Sequence, residues 1–196
     1  MKTLELAGYL DELLKVNEIH DESLNGLQVE NSGDVRKVAL AVDASLESFK
    51  QAKKHGADLL FVHHGLFWER PLAIRDAHYR RIRELIVGDV ALYAAHLPLD
   101  LHAEFGNNAQ VRMKLGWDVA GDFGDYHGVV IGKEIRFGKP RTPEDLAEEM
   151  EKGLGAKVTL WKFGRGAVRR AAYVSGGGIS LLPEAMGKGF DAFITG

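Results

Sequence analysis

An unbroken apolar run, Leu59-Leu60-Phe61-Val62, lies between Asp58 and the polar step His63-His64-Gly65. Its length and composition suit a strand buried on both faces, as parallel sheets carry. The preceding segments complete a unit. Val35–Val42 reads as a strand and Leu46–His55 as a helix, with Asp43 or Ser45 as its cap and Gly56 just past its end. Strand, helix and strand in this order predict parallel strands joined by a right-handed crossover, and so an α/β fold.

The same unit recurs. Shifted by 133 residues, Val35-Arg36-Lys37 meets Val168-Arg169-Arg170, Ala39 meets Ala172, and Ala52 meets Ala185. Gly56 meets Gly189, Asp58 meets Asp191, and the run Leu59–Val62 meets Ala192–Thr195, with no gap needed. The expectation is two α/β lobes built on related βαβ units, with largely parallel or mixed sheets. A texture change around Gly124 divides them into residues 1–125 and 126–196. On this alignment His63 corresponds to Gly196, so the second lobe reads as truncated at its C-terminus.

The remaining elements follow from local signals. Thr3 can cap a first helix with Leu6, Leu10, Leu13 and Leu14 on one face. Asn25-Gly26 marks a turn. A helix around Ala77–Ile86 leads to a third buried strand, Val90–Ala95, and Gly106 opens a short helix ended by Gly116. His127–Lys133 and Glu134–Phe137 read as short strands. Thr142-Pro143-Glu144-Asp145 starts a helix that runs to about Lys152 and stops at Gly153. Lys157–Phe163 alternates like a half-buried strand, and Gly164-Arg165-Gly166 is a turn.

Composition excludes several classes. There is no cysteine, so disulfides and thiolate metal sites are out, and any metal must use imidazole and carboxylate. A formal charge of −3 gives no electrostatic case for nucleic-acid binding. The N-terminus carries acids among its leucines, unlike a signal peptide, and no apolar run approaches a membrane span. A cytoplasmic protein is expected.

The chemistry-bearing residues gather where strands end, the usual place for ligands in open α/β sheets. Side chains alternate along a strand, so His63 and His64 share one target only if the chain bends there. The third strand ends in His96-Leu97-Pro98-Leu99-Asp100. Pro98 argues against a helix, and in an extended stretch His96 and Asp100 face the same way. Adjacent strand ends would thus collect three imidazoles and one carboxylate. Asp100 could bridge a His63-bound and a His64-bound ion, with His96 orienting a hydroxide or moving a proton. Zinc, manganese and ferrous iron all accept such donors. An inert, hydrogen-bonded His pair would read the same way, and two ions need more ligands than these. His102, Glu104, Asn107 and Asn108 would line the same cleft. Ser175-Gly176-Gly177-Gly178, between a strand and a helix, could offer backbone N–H groups to a phosphate. His20, His55 and His78 stand alone and read as surface residues.

Taken in order, Asn25–Val29, Val62-His63-His64-Gly65, His96-Leu97-Pro98-Leu99-Asp100, Gly106-Asn107-Asn108-Ala109, Ser175–Gly178 and Asp191–Gly196 resemble the NGG-interacting-factor-three-like family, also known as GTP cyclohydrolase type 2 homologues. The resemblance spans essentially the whole chain. It implies two interlinked α/β lobes, a dinuclear centre held by the residues at His63, His64 and Asp100, and commonly a hexameric ring. It also implies a C-terminal His-x-x-x-Glu segment completing the site, which this sequence lacks. The expected function is metal-dependent hydrolysis of a nucleotide-like or small phosphorylated substrate, with ring opening of the cyclohydrolase type as one form. A non-catalytic scaffold with a structural metal is the alternative.

Overall fold

The computed structural model describes residues 1–164 and 166–196, so the turn expected at Gly164-Arg165-Gly166 lies partly outside the described residues. The chain packs as two compact units, Met1–Leu99 and Asp100–Gly196. Each holds one four-stranded mixed sheet.

In the first unit the order is α1 (Thr3–Leu14), β1 (Gly26–Val29), β2 (Val38–Asp43), α2 (Leu46–Lys54), β3 (Leu59–His64), α3 (Asp76–Gly88) and β4 (Ala91–Ala94). The strands lie in the order β1-β4-β3-β2, with β2, β3 and β4 parallel and β1 antiparallel to β4. The period of two along β3 sorts its residues. Leu60 and Val62 pack with Phe49, Ala52, Ile82 and Leu85 of α2 and α3. Leu59 and Phe61 turn the other way, into a layer with Ala7, Leu10 and Leu14 of α1 and with Tyr93. Both faces of the central strand are therefore dry, as its apolar run requires. Ser45 caps α2, its hydroxyl accepting from Ser48 N at 3.0 Å.

Helix α4 (Leu97–Leu101) crosses the division, and the second unit continues with α5 (Asn107–Leu115), β5 (Val119–Tyr126), β6 (Val129–Arg141), α6 (Pro143–Leu154), β7 (Val168–Val174), a single 3₁₀ turn (Gly178–Leu181), α7 (Leu182–Gly187) and β8 (Ala192–Thr195). The order β5-β6-β7-β8 is antiparallel except for the parallel pair β7–β8.

The sequence repeat is structural. Val38 pairs with Leu59 and Ala41 with Val62, while Ala171 pairs with Ala192 and Val174 with Thr195, the same register at a shift of 133. Asp58 Oδ2 accepts from Arg36 N and Lys37 N at 2.8 and 2.9 Å; Asp191 Oδ2 accepts from Arg169 N and Arg170 N, both at 2.9 Å. Gly56 and Gly189 adopt φ of 65° and 66° after their helices, a conformation that costs other residues about 1 kcal/mol or more.

Several local expectations change. Lys2 rather than Thr3 is the N-cap of α1; Thr3 is the first helical residue, and its buried hydroxyl donates to Asn31 Oδ1. Gly26–Val29 is strand β1, because ladder pairing with β4 outweighs the turn preference of Asn-Gly. Pro98 does not keep its stretch extended. It sits in the first turn of α4, where a missing N–H is harmless. Gly124 lies inside β5, and the two short strands expected after it are one long strand, β6. Its hairpin with β5 turns at His127-Gly128, where both residues have positive φ, the twist two-residue hairpins favour. Helix α6 runs through Gly153 to a Gly155 cap; a Cβ on Gly153 would come within 2.4 Å of Leu115 Cδ2, so this glycine serves helix contact rather than termination. Lys157–Phe163 forms no strand, and Trp161 and Phe163 are exposed.

One ion pair in the second sheet sets a pH response. The Arg170 guanidinium grips Glu134 through Nε and Nη2 at 3.0 and 3.2 Å and holds its carboxyl below the ordinary 4.5, against a smaller opposing effect of burial. A depressed carboxyl stabilises the fold above its unfolded value, and that contribution is lost as pH falls through the folded value. Glu134→Gln should therefore unfold at lower urea than the parent near neutrality, with the gap closing below about pH 4; a constant gap would remove this pair as the cause.

Candidate metal centre

The three imidazoles meet. Ring centroids lie 4.5 Å apart for His63 and His64, 5.1 Å for His63 and His96, and 5.7 Å for His64 and His96. One ligand nitrogen from each falls within 4.8 Å of the other two, and all three rings are half-buried. Strand β3 ends at His64, so the alternation that separates neighbouring side chains stops mattering where the two rings emerge.

What fixes each ring is a hydrogen bond at Nδ1. His63 Nδ1 lies 3.0 Å from the Ala95 carbonyl oxygen, His64 Nδ1 lies 2.7 Å from Asp43 Oδ1, and His96 Nδ1 lies 3.0 and 3.1 Å from the two oxygens of Asp21. Each of these oxygens accepts, so Nδ1 carries a proton in all three rings, and a metal would be bound through Nε2. A shell of such acceptors is the usual accompaniment of histidine ligation.

The parallel register explains Asp43, which pairs directly with His64 across β2 and β3. Asp21 comes from the irregular stretch before β1. Its side chain is only 2% exposed. Burial alone would raise its pKa, but hydrogen bonds from His96, the Asn25 amide, Ser23 N and Leu97 N outweigh it and bring the carboxyl down to about 2. Asn25 also accepts from His96 N at 2.7 Å, so this residue positions the cluster as well as entering β1. Trp68 stands edge-on to His96 at 5.1 Å.

Gly65 makes room for a neighbouring side chain. A Cβ there would lie 2.3 Å from Gln28 Nε2 and 2.7 Å from the Ala94 Cβ. The glycine admits Gln28, whose Oε1 accepts from Leu66 N at 2.7 Å and ties β1 to the chain leaving the histidines. Gly65→Ala should cost about 1–3 kcal/mol by overpacking, measured by urea unfolding; an unchanged midpoint would mean Gln28 has room to withdraw.

Asp100 belongs to the second unit. Its carboxylate accepts from Asn107 Nδ2 at 2.6 Å and from Ser175 Oγ at 3.3 Å, and it is buried. Asn108 links the same group, donating to the Ile131 carbonyl and accepting from Ser175 N, both at 2.8 Å. Of the glycine stretch, Gly176 N donates to the Gly196 carbonyl, and Gly178 N to Thr195 Oγ1 and the Gly176 carbonyl. Ser175–Gly178 therefore spends its serine and much of its backbone on internal bonds. His102 Nδ1 accepts from Glu104 N and Phe105 N, a local turn. His20 and His55 are exposed as expected, but His78 is buried.

Asp21, Asp43, Asn25, Gln28 and Trp68 had no assigned part in the sequence-based site. Asp43 could have been found by setting β2 beside β3 in parallel register. For Asp21, 75 residues from His96, no local signal exists.

A fold of this kind has relatives. The sequence profile of Duf34/NIF3 (NGG1p interacting factor 3) matches residues 1–196. A protein of Archaeoglobus fulgidus named GTP cyclohydrolase 1 type 2 homolog is 46% identical over all of this chain and 78% of its own length. Among solved structures, the protein ybgI, described as of unknown function, superposes with a TM-score of 0.91 at 38% identity, covering all of this chain and 78% of that one. TTHA1606 from Thermus thermophilus gives 0.83 at 40% identity, with the same coverage. The chain belongs to the Duf34/NIF3 family.

Proposed function

We propose that this protein is a metal-dependent hydrolase of a nucleotide-like or other small phosphorylated substrate, with His63 and His64 as metal ligands. The observation that carries this reading is the convergence of three imidazoles whose Nδ1 atoms are all committed to acceptors. The reading extends to Asp100 as the carboxylate ligand expected from the sequence and to a second ion. Zinc, manganese and ferrous iron all suit this donor set. A bound divalent ion supplies Lewis acidity and a water acidified toward neutrality.

The chain's own groups supply the rest. His96, backed by the buried, ionised Asp21, is built as a histidine–carboxylate dyad. Its Nδ1–H is held by Asp21, so Nε2 can take a proton from the attacking water, and Asp21 stabilises the imidazolium that results. Asp43 and the Ala95 carbonyl hold the other two rings in place. Trp68 shields one side of His96. The family's cyclohydrolase naming suggests ring opening of a purine-like base as the reaction.

The test is metal content per chain by elemental analysis after loading with zinc or manganese and gel filtration. About one equivalent or more in the parent chain, lost in His63→Ala with the fold retained, supports the reading. No stoichiometric metal in the parent, or undiminished metal in the variant, overturns it.

A further inference from the structure

Helix α3 turns His78, Ile82 and Leu85 inward, at the i, i+4, i+7 spacing of a buried face. A histidine at the head of an apolar stripe is out of place unless it has a partner. His78 is 5% exposed, and among the described residues neither of its ring nitrogens has a hydrogen-bond partner. One turn on, Arg81 Nε is likewise buried without an acceptor among the described residues, and Arg81 Nη1 makes a long 3.4 Å contact with the Ala44 carbonyl. Buried donors left without acceptors are costly, so two on neighbouring turns call for an occupant.

The chemistry of the pair selects it. Arg81 offers donors only, and His78 offers one more whichever nitrogen carries the proton. Both lie in the first two turns of a thirteen-residue helix, whose N-terminal end is positive. The acids on the same helix are directed elsewhere: Asp76 lies by Arg75, and Glu84 faces Lys53. An anion matches this surrounding.

The location ties it to the imidazoles. The Ala44 carbonyl that Arg81 contacts belongs to the residue after Asp43, and Ala44 N donates to the His64 carbonyl at 2.8 Å. Phe67, three residues past His64, packs edge-on against His78 at 5.4 Å. The Ser175–Gly178 loop, the other candidate for anion binding, has committed the amides of Ser175, Gly176 and Gly178 internally.

We propose that His78 and Arg81 form an anion site that receives a phosphate group of the substrate, behind the strand end that presents His63 and His64. This rests on the metal-hydrolase reading for its substrate, though not for its geometry. The probe is inorganic phosphate, added to the zinc-loaded chain and to the zinc-stripped chain while the imidazole resonances are followed by nitrogen-15 NMR. His78→Gln assigns the His78 signals, and zinc content is measured in every variant.

The expected result is a saturable shift of the His78 ring signals in both forms. Arg81→Gln should weaken phosphate binding about tenfold or more, the loss of a charge-assisted hydrogen bond, with zinc content unchanged. His78 signals indifferent to phosphate would overturn the proposal and leave the pair to a trapped water. So would phosphate binding that disappears with zinc but is untouched in Arg81→Gln, since the anion would then sit on the metal. Failure of the parent chain to hold zinc would sink the hydrolase reading alone, because the zinc-stripped titration still reads the anion site.

Discussion

Replacing Asp21 with alanine is expected to destabilise the first unit by about 3–5 kcal/mol, as removal of one partner from a buried charged network does. The carboxylate accepts from His96 Nδ1, Asn25 Nδ2, Ser23 N and Leu97 N, and its loss strands these donors in a site water scarcely reaches. Urea unfolding followed by far-UV circular dichroism measures the loss. Asp21→Asn retains one acceptor oxygen and should fall between parent and alanine variant. Near-parent stability in Asp21→Ala would show that water replaces the carboxylate.

The second large effect is expected at Asn108. Its amide joins the Ile131 carbonyl to Ser175 N, and it is 5% exposed. Asn108→Ala leaves a buried donor and a buried acceptor unpaired, for a loss of about 2–4 kcal/mol. The variant also unties the loop that supplies Ser175 to Asp100. Asn108→Asp is the informative companion. It keeps an acceptor for Ser175 N but sets a carboxylate oxygen against the Ile131 carbonyl, so it should be at least as damaging. A milder effect for aspartate than for alanine would locate the energy in Ser175 alone.

How much of this could be read from the chain follows from the reach of each interaction. The buried strands and their helices were legible because apolar runs, Ser45, Thr142 and the glycines after helices are local signals that the fold obeys. The repeat was legible because its Asp58 and Asp191 are identical and its glycines fall in register. Local rules failed where distant partners override them. Asn25-Gly26 reads as a turn until β4 pairs with the residues after it. Pro98 reads as extended until it is seen to occupy a helix's first turn. Lys157–Phe163 has the alternation of a strand and no ladder to join.

The candidate site divides the same way. His63, His64 and His96 stand out by their places at strand ends, and their convergence is what the parallel order β2-β3-β4 delivers. Their anchoring was not legible. Asp21 lies 75 residues from His96, and the Ala95 carbonyl is a backbone group with no sequence signature. His78 escapes sequence reading for the converse reason. A lone histidine reads as a surface residue, and only the packing of α3 reveals that it points inward.

The duplicated aspartate clamp has a kinetic meaning. Asp58 and Asp191 each reach back 22 residues to the start of the preceding strand, each closing one strand-helix-strand loop. The entropy lost in closing a loop depends on its length and only weakly on its sequence. Both closures therefore begin from the same conformational handicap. Any difference in how fast the two loops close then arises from the residues between the clamped ends, Phe49 and Ala52 in one and Leu182 and Ala185 at the equivalent positions of the other.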